Sequence, residues 1–131
     1  MKTKVIIICQ YLLGAIFFVF GLNGLLMAFG GKGFMPMPPL EPRMATIMAG
    51  FAATGYLLKL VKIIEVTAGL LLLANRYVPA AIVLLGPVVV NILGIHMFAS
   101  HEGLPMAVVV VALWSVLVKK HWTLFKPLLS K

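Results

Sequence analysis

Charge and cysteine are both scarce in this sequence. Charged residues fill 11% of its 131 positions and hydrophobic ones 63%, whereas an ordinary globular domain is about a quarter charged. A soluble core of this size could not hide so much apolar surface. Cys9 is the single cysteine, which excludes an internal disulfide and a CxxC redox pair and leaves packing as a small hydrophobe. No Cys/His cluster has metal-ligand spacing, and neither a Walker-type glycine loop nor a nucleophile elbow occurs. The glycines of Gly30-Gly31-Lys32-Gly33 follow an apolar helix rather than a strand, so they make no phosphate cradle. A membrane b-type haem ordinarily takes two axial ligands, and only His96 among the histidines falls inside an apolar run. No haem or metal site is therefore evident.

What the chain does have is four predominantly apolar runs, roughly Val5–Gly30, Leu57–Ala74, Val78–Ala99 and Leu104–Val118. About 20 apolar residues match the ~30 Å hydrocarbon layer as a helix. The sequence thus predicts an all-α integral membrane protein, a single-domain four-helix up-down bundle over 1–131. Between the first two runs, Gly30–Pro42 is too rich in glycine and proline for regular helix. Met44–Tyr56 then reads as a short helix at the membrane interface. With spans and connections using up the length, no soluble catalytic domain is expected, and the chain is not expected to be an enzyme on its own.

The formal charge of +8 would suggest nucleic acid in a soluble protein, but here it is read by side of the membrane, and the lipid bilayer is the expected partner. Lys2, Lys4, Arg76, Lys119, Lys120, Lys126 and Lys131 fall on one side of an even number of spans, against Lys32 and Arg43 on the other. The positive-inside rule then puts both termini in the cytoplasm, with Trp122 and the basic tail as an interfacial anchor. The first run exceeds a signal-peptide core and lacks a small-x-small cleavage site, so it reads as a retained anchor.

The informative residues are polar ones within the apolar runs. Lys59, Lys62 and Glu65 recur every third residue on one sloping side of the second span, where ionisable groups normally face a bundle interior or water. Counting ~1.5 Å per residue places Glu65 and Asn91 both roughly 12 Å from the outer boundary. Lys62, His96 and Asn23 form a shallower layer. These five are the candidate ligand-binding residues. Each also has a structural reading: Lys62 and Glu65 as a neutralising pair, Asn23 and Asn91 as interhelical glue, His96 as a structural hydrogen bonder near the interface. Lys59 is expected to snorkel to the headgroups. The small residues of Gln10, Gly14, Phe17, Gly21, Gly24 and Ala28, at helical spacing in span one, are expected to face other helices.

Phe20-Gly21-Leu22-Asn23-Gly24, then Thr54-Gly55-Tyr56-Leu57 running through Lys62 and Glu65 to Gly69-Leu70-Leu71-Leu72-Leu73, then Pro87-Val88-Val89-Val90-Asn91 with His96, occur here in one order. In that order the chain resembles the DoxX family of small bacterial four-helix membrane proteins. The resemblance implies an inner-membrane protein and, by analogy with multi-subunit relatives, a link to quinone-dependent oxidoreductases of sulfur or thiol metabolism. The expected role is a non-catalytic subunit or binding protein with an outward-facing polar pocket, a quinone as its candidate ligand, and other membrane redox subunits or further copies of itself as partners. The alternatives are a small-molecule or proton-coupled transporter acting as an oligomer, and a structural or assembly subunit.

Overall fold

The computed structural model describes residues 2–131, and all regular structure in them is helical. Six α-helices run in order: α1 (Thr3–Ala28), α2 (Pro42–Ala53), α3 (Leu57–Ala74), α4 (Val78–Phe98), α5 (Leu104–Lys120) and α6 (Trp122–Phe125). Short 3₁₀ turns occupy His101–Gly103 and Lys126–Leu129. The four long helices close a ring in which α1 packs on α3, α3 on α4, α4 on α5 and α5 on α1. The three-residue turn Asn75–Tyr77 and the short link to α5 make α3, α4 and α5 successively antiparallel, and α1 runs antiparallel to α3, with Gly14 beside Leu72 and Gly24 beside Lys62. α1 and α5 therefore bring Thr3 and Lys120 to the same end of the bundle.

Three stretches are long and apolar enough to cross a membrane: α1, α4 and His101–Lys120, which contains α5. α3 has the length, at 18 residues, but Lys59, Lys62 and Glu65 raise its insertion cost by ~2.5–3.5 kcal/mol for each charge near the bilayer centre. A crossing by α3 would have to be supported by its neighbours.

Those neighbours meet it closely. On α1 the sequence 10, 14, 17, 21, 24, 28 steps by four and three, a 3.5-residue repeat that keeps one face on a partner helix. Of that set, Gln10, Gly14, Phe17 and Gly21 are buried. A methyl group added to Gly14 would sit 2.9 Å from Leu72 Cβ, and one added to Gly69 of α3 would sit 2.6 Å from the Phe18 backbone nitrogen. Only glycine permits this backbone approach. The expected small stripe is thus a contact with α3 in particular.

The apolar core lies toward the end that holds Thr3 and Lys120. Leu13 and Phe17 of α1, Ala68 and Leu72 of α3, Val78, Ala81, Ile82, Leu85 and Val89 of α4, and Val110 and Leu117 of α5 form one buried cluster. Beyond Val89, α4 buries no residue. Pro87 leaves α4 continuous from Val78 to Phe98, although it has no N–H to give the Val83 carbonyl.

The boundaries differ modestly from those read in the sequence. The short helix begins at Pro42, because proline at a first helical position gives up a hydrogen bond that is unmade anyway. It ends at Ala53, where the Thr54 hydroxyl donates to the Phe51 carbonyl at 2.7 Å and accepts from the Leu57 N–H at 2.9 Å, joining α2 directly to α3. α2 buries none of its residues; its Arg43 guanidinium donates to the Phe98 carbonyl at the end of α4, 3.1 Å away. The basic tail is helical where only an anchor was expected.

Candidate functional site

The ion pair expected in α3 is present. Lys62 Nζ lies 3.0 Å from Glu65 Oε2, one turn along the helix, with side chains 28% and 7% exposed respectively. Two α1 glycines make room for it: added methyls would fall 3.0 Å from Glu65 Cβ at Gly21 and 2.7 Å from Lys62 Cε at Gly24. The pair therefore sits against bare α1 backbone. By distance Oε2 is paired, yet its angle to the ammonium is not that of a hydrogen bond, and no donor among the described residues serves this buried atom. Distance governs the Coulomb attraction, so the contact is an ion pair whose carboxylate has unused acceptor capacity.

The other candidate residues do not converge on it. Asn23 is 2% exposed and belongs to the first connection: its Oδ1 accepts from the Met35 N–H at 3.0 Å, and the loop at Gly33 passes so close that a side chain there would collide with the Asn23 amide. His96 donates through Nδ1 to the Ser100 carbonyl at 3.1 Å, which leaves Nε2 as the acceptor nitrogen, and its ring lies against Gly103. It fastens the turn from α4 into α5. Asn91 is exposed, and its amide donates to the Pro87 carbonyl of its own helix at 2.8 Å. The expected deep layer of Glu65 with Asn91 does not form, because Asn91 faces away from the bundle.

A cleft of about 170 Å³ opens one turn from the pair, between the end of α1, the end of α2 and the start of α3. Ala28, Phe51, Ala52, Tyr56, Leu58 and Lys59 are among its lining residues. Lys59 does more than snorkel, since its ammonium lies over the Phe29 ring, 5.0 Å from the centroid. Lys59 and Lys62 follow each other on one side of α3, so the cleft lies one helical turn from the Lys62 end of the pair.

One buried polar residue had been read only as part of the small stripe. Gln10 donates through Nε2 to the Leu72 carbonyl at 3.0 Å and to Asn75 Oδ1 at 2.9 Å. Asn75 has a left-handed backbone, φ 55°, and closes α3 through bonds from the Asn75 N–H to the Leu72 carbonyl and from the Arg76 N–H to the Leu71 carbonyl. Gln10 thus ties α1 to the capped end of α3. The signal was a glutamine inside an apolar run together with an asparagine just past the next one.

Among the described residues no group of three His, Cys, Asp or Glu side chains comes together to hold a metal. No family model, curated protein or solved structure matches the chain. Among the described residues the molecule is all-helical, with three candidate membrane spans and, on α3, an ion pair whose carboxylate is buried and whose ammonium is partly exposed.

Proposed function

We propose that this chain is a DoxX-like, four-span inner-membrane protein with both termini in the cytoplasm, acting as a non-catalytic binding subunit for a quinone-linked or thiol oxidoreductase system. The observation that carries the reading is the buried Glu65 carboxylate, which has spare acceptor capacity beside a partly exposed ammonium. Intramembrane ions persist where they serve a function. A quinone ring entering between α2 and α3 would meet Tyr56, Phe51 and Lys59 first and the Lys62 ammonium one turn deeper, which gives it an apolar slot with a hydrogen-bond donor at its end. The orientation is supported by the seven basic residues at the end holding Thr3 and Lys120, against Lys32 and Arg43 in the opposite connection.

The test is retention of a short-chain ubiquinone by the purified protein, read as a ligand-dependent rise in thermal stability. Wild type should show it, and the Lys62→Met/Glu65→Leu variant should fold but not. Retention by the double variant would remove the pair from the site.

A second reading, association of copies through α4, has its own support in Asn91. An exposed amide at that height in a hydrocarbon-facing helix gains from a partner across an interface. Cross-linking in membranes that is lost in Asn91→Leu would favour it.

A further inference from the structure

A second cleft lies at the opposite end of the bundle, between α4, α5 and the C-terminal helical segment, with a volume of about 230 Å³. Ile82, Val83 and Gly86 form one wall, Trp114 and Val118 another, and Trp122, Phe125, Leu128 and Leu129 the third. The lining is almost wholly apolar. Trp114 is fixed by its indole N–H, which donates to the Ile82 carbonyl at 2.9 Å. Gly86 lies beside the ring, where an added methyl would sit in ordinary van der Waals contact with Trp114 Cζ2, at 3.6 Å. Gly86 lies roughly 12 Å along α4 from its first residue, so the cleft runs from the basic end well into the apolar part of the bundle.

Basic residues alternate with the lining along this stretch. Lys119 and Lys120 follow Val118 in the last turn of α5, and Lys126 stands between Phe125 and Leu128. All three are exposed. Arg76, in the turn before α4, shares this end of the bundle, and no acidic residue occurs after Glu102. An apolar slot of this depth beneath an uncompensated cluster of cations is complementary to one kind of molecule: an acyl chain carrying an anionic phosphate. We propose that this cleft seats one tail of an anionic phospholipid, with its phosphate held by Lys119, Lys120 and Lys126. The site is separate from the Lys62–Glu65 pair and rests only on α4 and α5 lying in the bilayer.

The chain supplies its own reporter, because Trp114 and Trp122 are its only two tryptophans and both line the cleft. The full chain is reconstituted in phosphatidylcholine vesicles containing either phosphatidylglycerol or phosphatidylcholine with brominated acyl chains, which quench indole fluorescence on contact. Brominated phosphatidylglycerol is expected to quench at a mole fraction at least about tenfold lower than brominated phosphatidylcholine, since clustered lysines at the membrane surface attract anionic lipid. Lys119→Gln/Lys120→Gln/Lys126→Gln should erase that difference. Gly86→Leu, which fills the slot beside Trp114, should reduce the quenching of Trp114 when it is read in a Trp122→Phe background.

Equal quenching of wild type by the two lipids would overturn the proposal, as would a preference that survives loss of the three lysines. A preference that depends on the lysines but is untouched by Gly86→Leu would mean attraction at the surface with no seated tail, and would overturn it too. Failure of the protein to float with the vesicles would sink both the proposal and the membrane reading beneath it. A floating protein that lacks the lipid preference would sink the proposal alone.

Discussion

The two ends of the α1–α3 seam are built from the same small-residue stripe and put it to opposite uses. At one end Gln10 spans the helices with two hydrogen bonds to the cap of α3, beside a core of leucine, isoleucine and valine. At the other, Gly21 and Gly24 face a buried ion pair, and α4 contributes no buried residue beyond Val89. Along the seam, the first end pairs the amides of Gln10 and Asn75 and packs its helices backbone to backbone at Gly14 and Gly69. The second leaves a carboxylate oxygen without a donor and a cleft beside it. The difference teaches that one end has the construction of a clamp and the other has room for a ligand, though both are glycine-lined.

The largest effect should come from breaking the seam itself. In Gly69→Ala the new methyl would meet the Phe18 nitrogen and the Gly14 carbonyl, at 2.6 and 2.9 Å, and backbone atoms cannot swing aside. Overpacking of that kind typically costs 1–3 kcal/mol, and with backbone on both sides we expect about 3 kcal/mol or more. Gly94→Ala, which meets nothing within 4 Å, should change stability by less than about 1 kcal/mol. Unfolding of both variants in detergent, followed by circular dichroism, gives the comparison; equal losses would show that the seam is not what holds α1 to α3.

A smaller effect separates the ends. Gln10→Leu removes both cross-helix bonds and should cost about 1–2 kcal/mol, with ligand-dependent stabilisation unchanged. Lys62→Met/Glu65→Leu should do the reverse. Replacing a buried pair by apolar residues is often neutral or stabilising, so the double variant should unfold no earlier than wild type. If it instead unfolds as early as Gln10→Leu, the pair is a second clamp and the contrast between the ends disappears.

The smallest effect concerns the basic end. His121 follows α5, its Nε2 is buried without a partner, and burial, with Lys120 adding repulsion, lowers its pKa below the ordinary value of about 6.5. A lowered histidine pKa means that the unfolded chain binds the proton more readily. Its contribution to stability is therefore intact above about pH 6.5 and is lost as pH falls from there through the lower folded value. His121→Gln should flatten the dependence of melting temperature on pH across that window and leave melting at pH 8 nearly unchanged. An unaltered slope would assign acid sensitivity elsewhere.

Much of this was legible in the chain. The helix α3 covers Leu57–Ala74 and α4 begins at Val78, as the apolar runs do, because such runs and their Gly, Pro and Asn breaks are local signals. The small stripe was legible for the same reason, although its partner was not: nothing local says that Gly69 rather than another small residue meets Gly14. The candidate site was legible only in part. Counting residues gives the height of a side chain in a bundle but not its direction. Two residues of an α-helix turn about 200°, so with Val89 buried Asn91 points to the far side at nearly the same height. Lys62 and Glu65 were recoverable because both lie on one helix. Asn23 and His96 were placed at the right end but bind the adjoining loops, and those contacts depend on loop conformations that the apolar pattern does not encode.

The turn Asn75-Arg76-Tyr77 also bears on how such a chain enters a bilayer. Asn75 and Tyr77 both adopt left-handed backbone, with φ of 55° and 52°, and three residues leave no slack between Ala74 and Val78. Under the four-crossing reading, α3 is the helix least able to leave the translocon alone, while α4 is among the most apolar. So short a connection couples the two as a helical hairpin, in which the uncharged arm draws the charged one into lipid. Biogenesis would then proceed by pairs, with the glycine face of α1 already in place to receive Lys62 and Glu65 as they arrive.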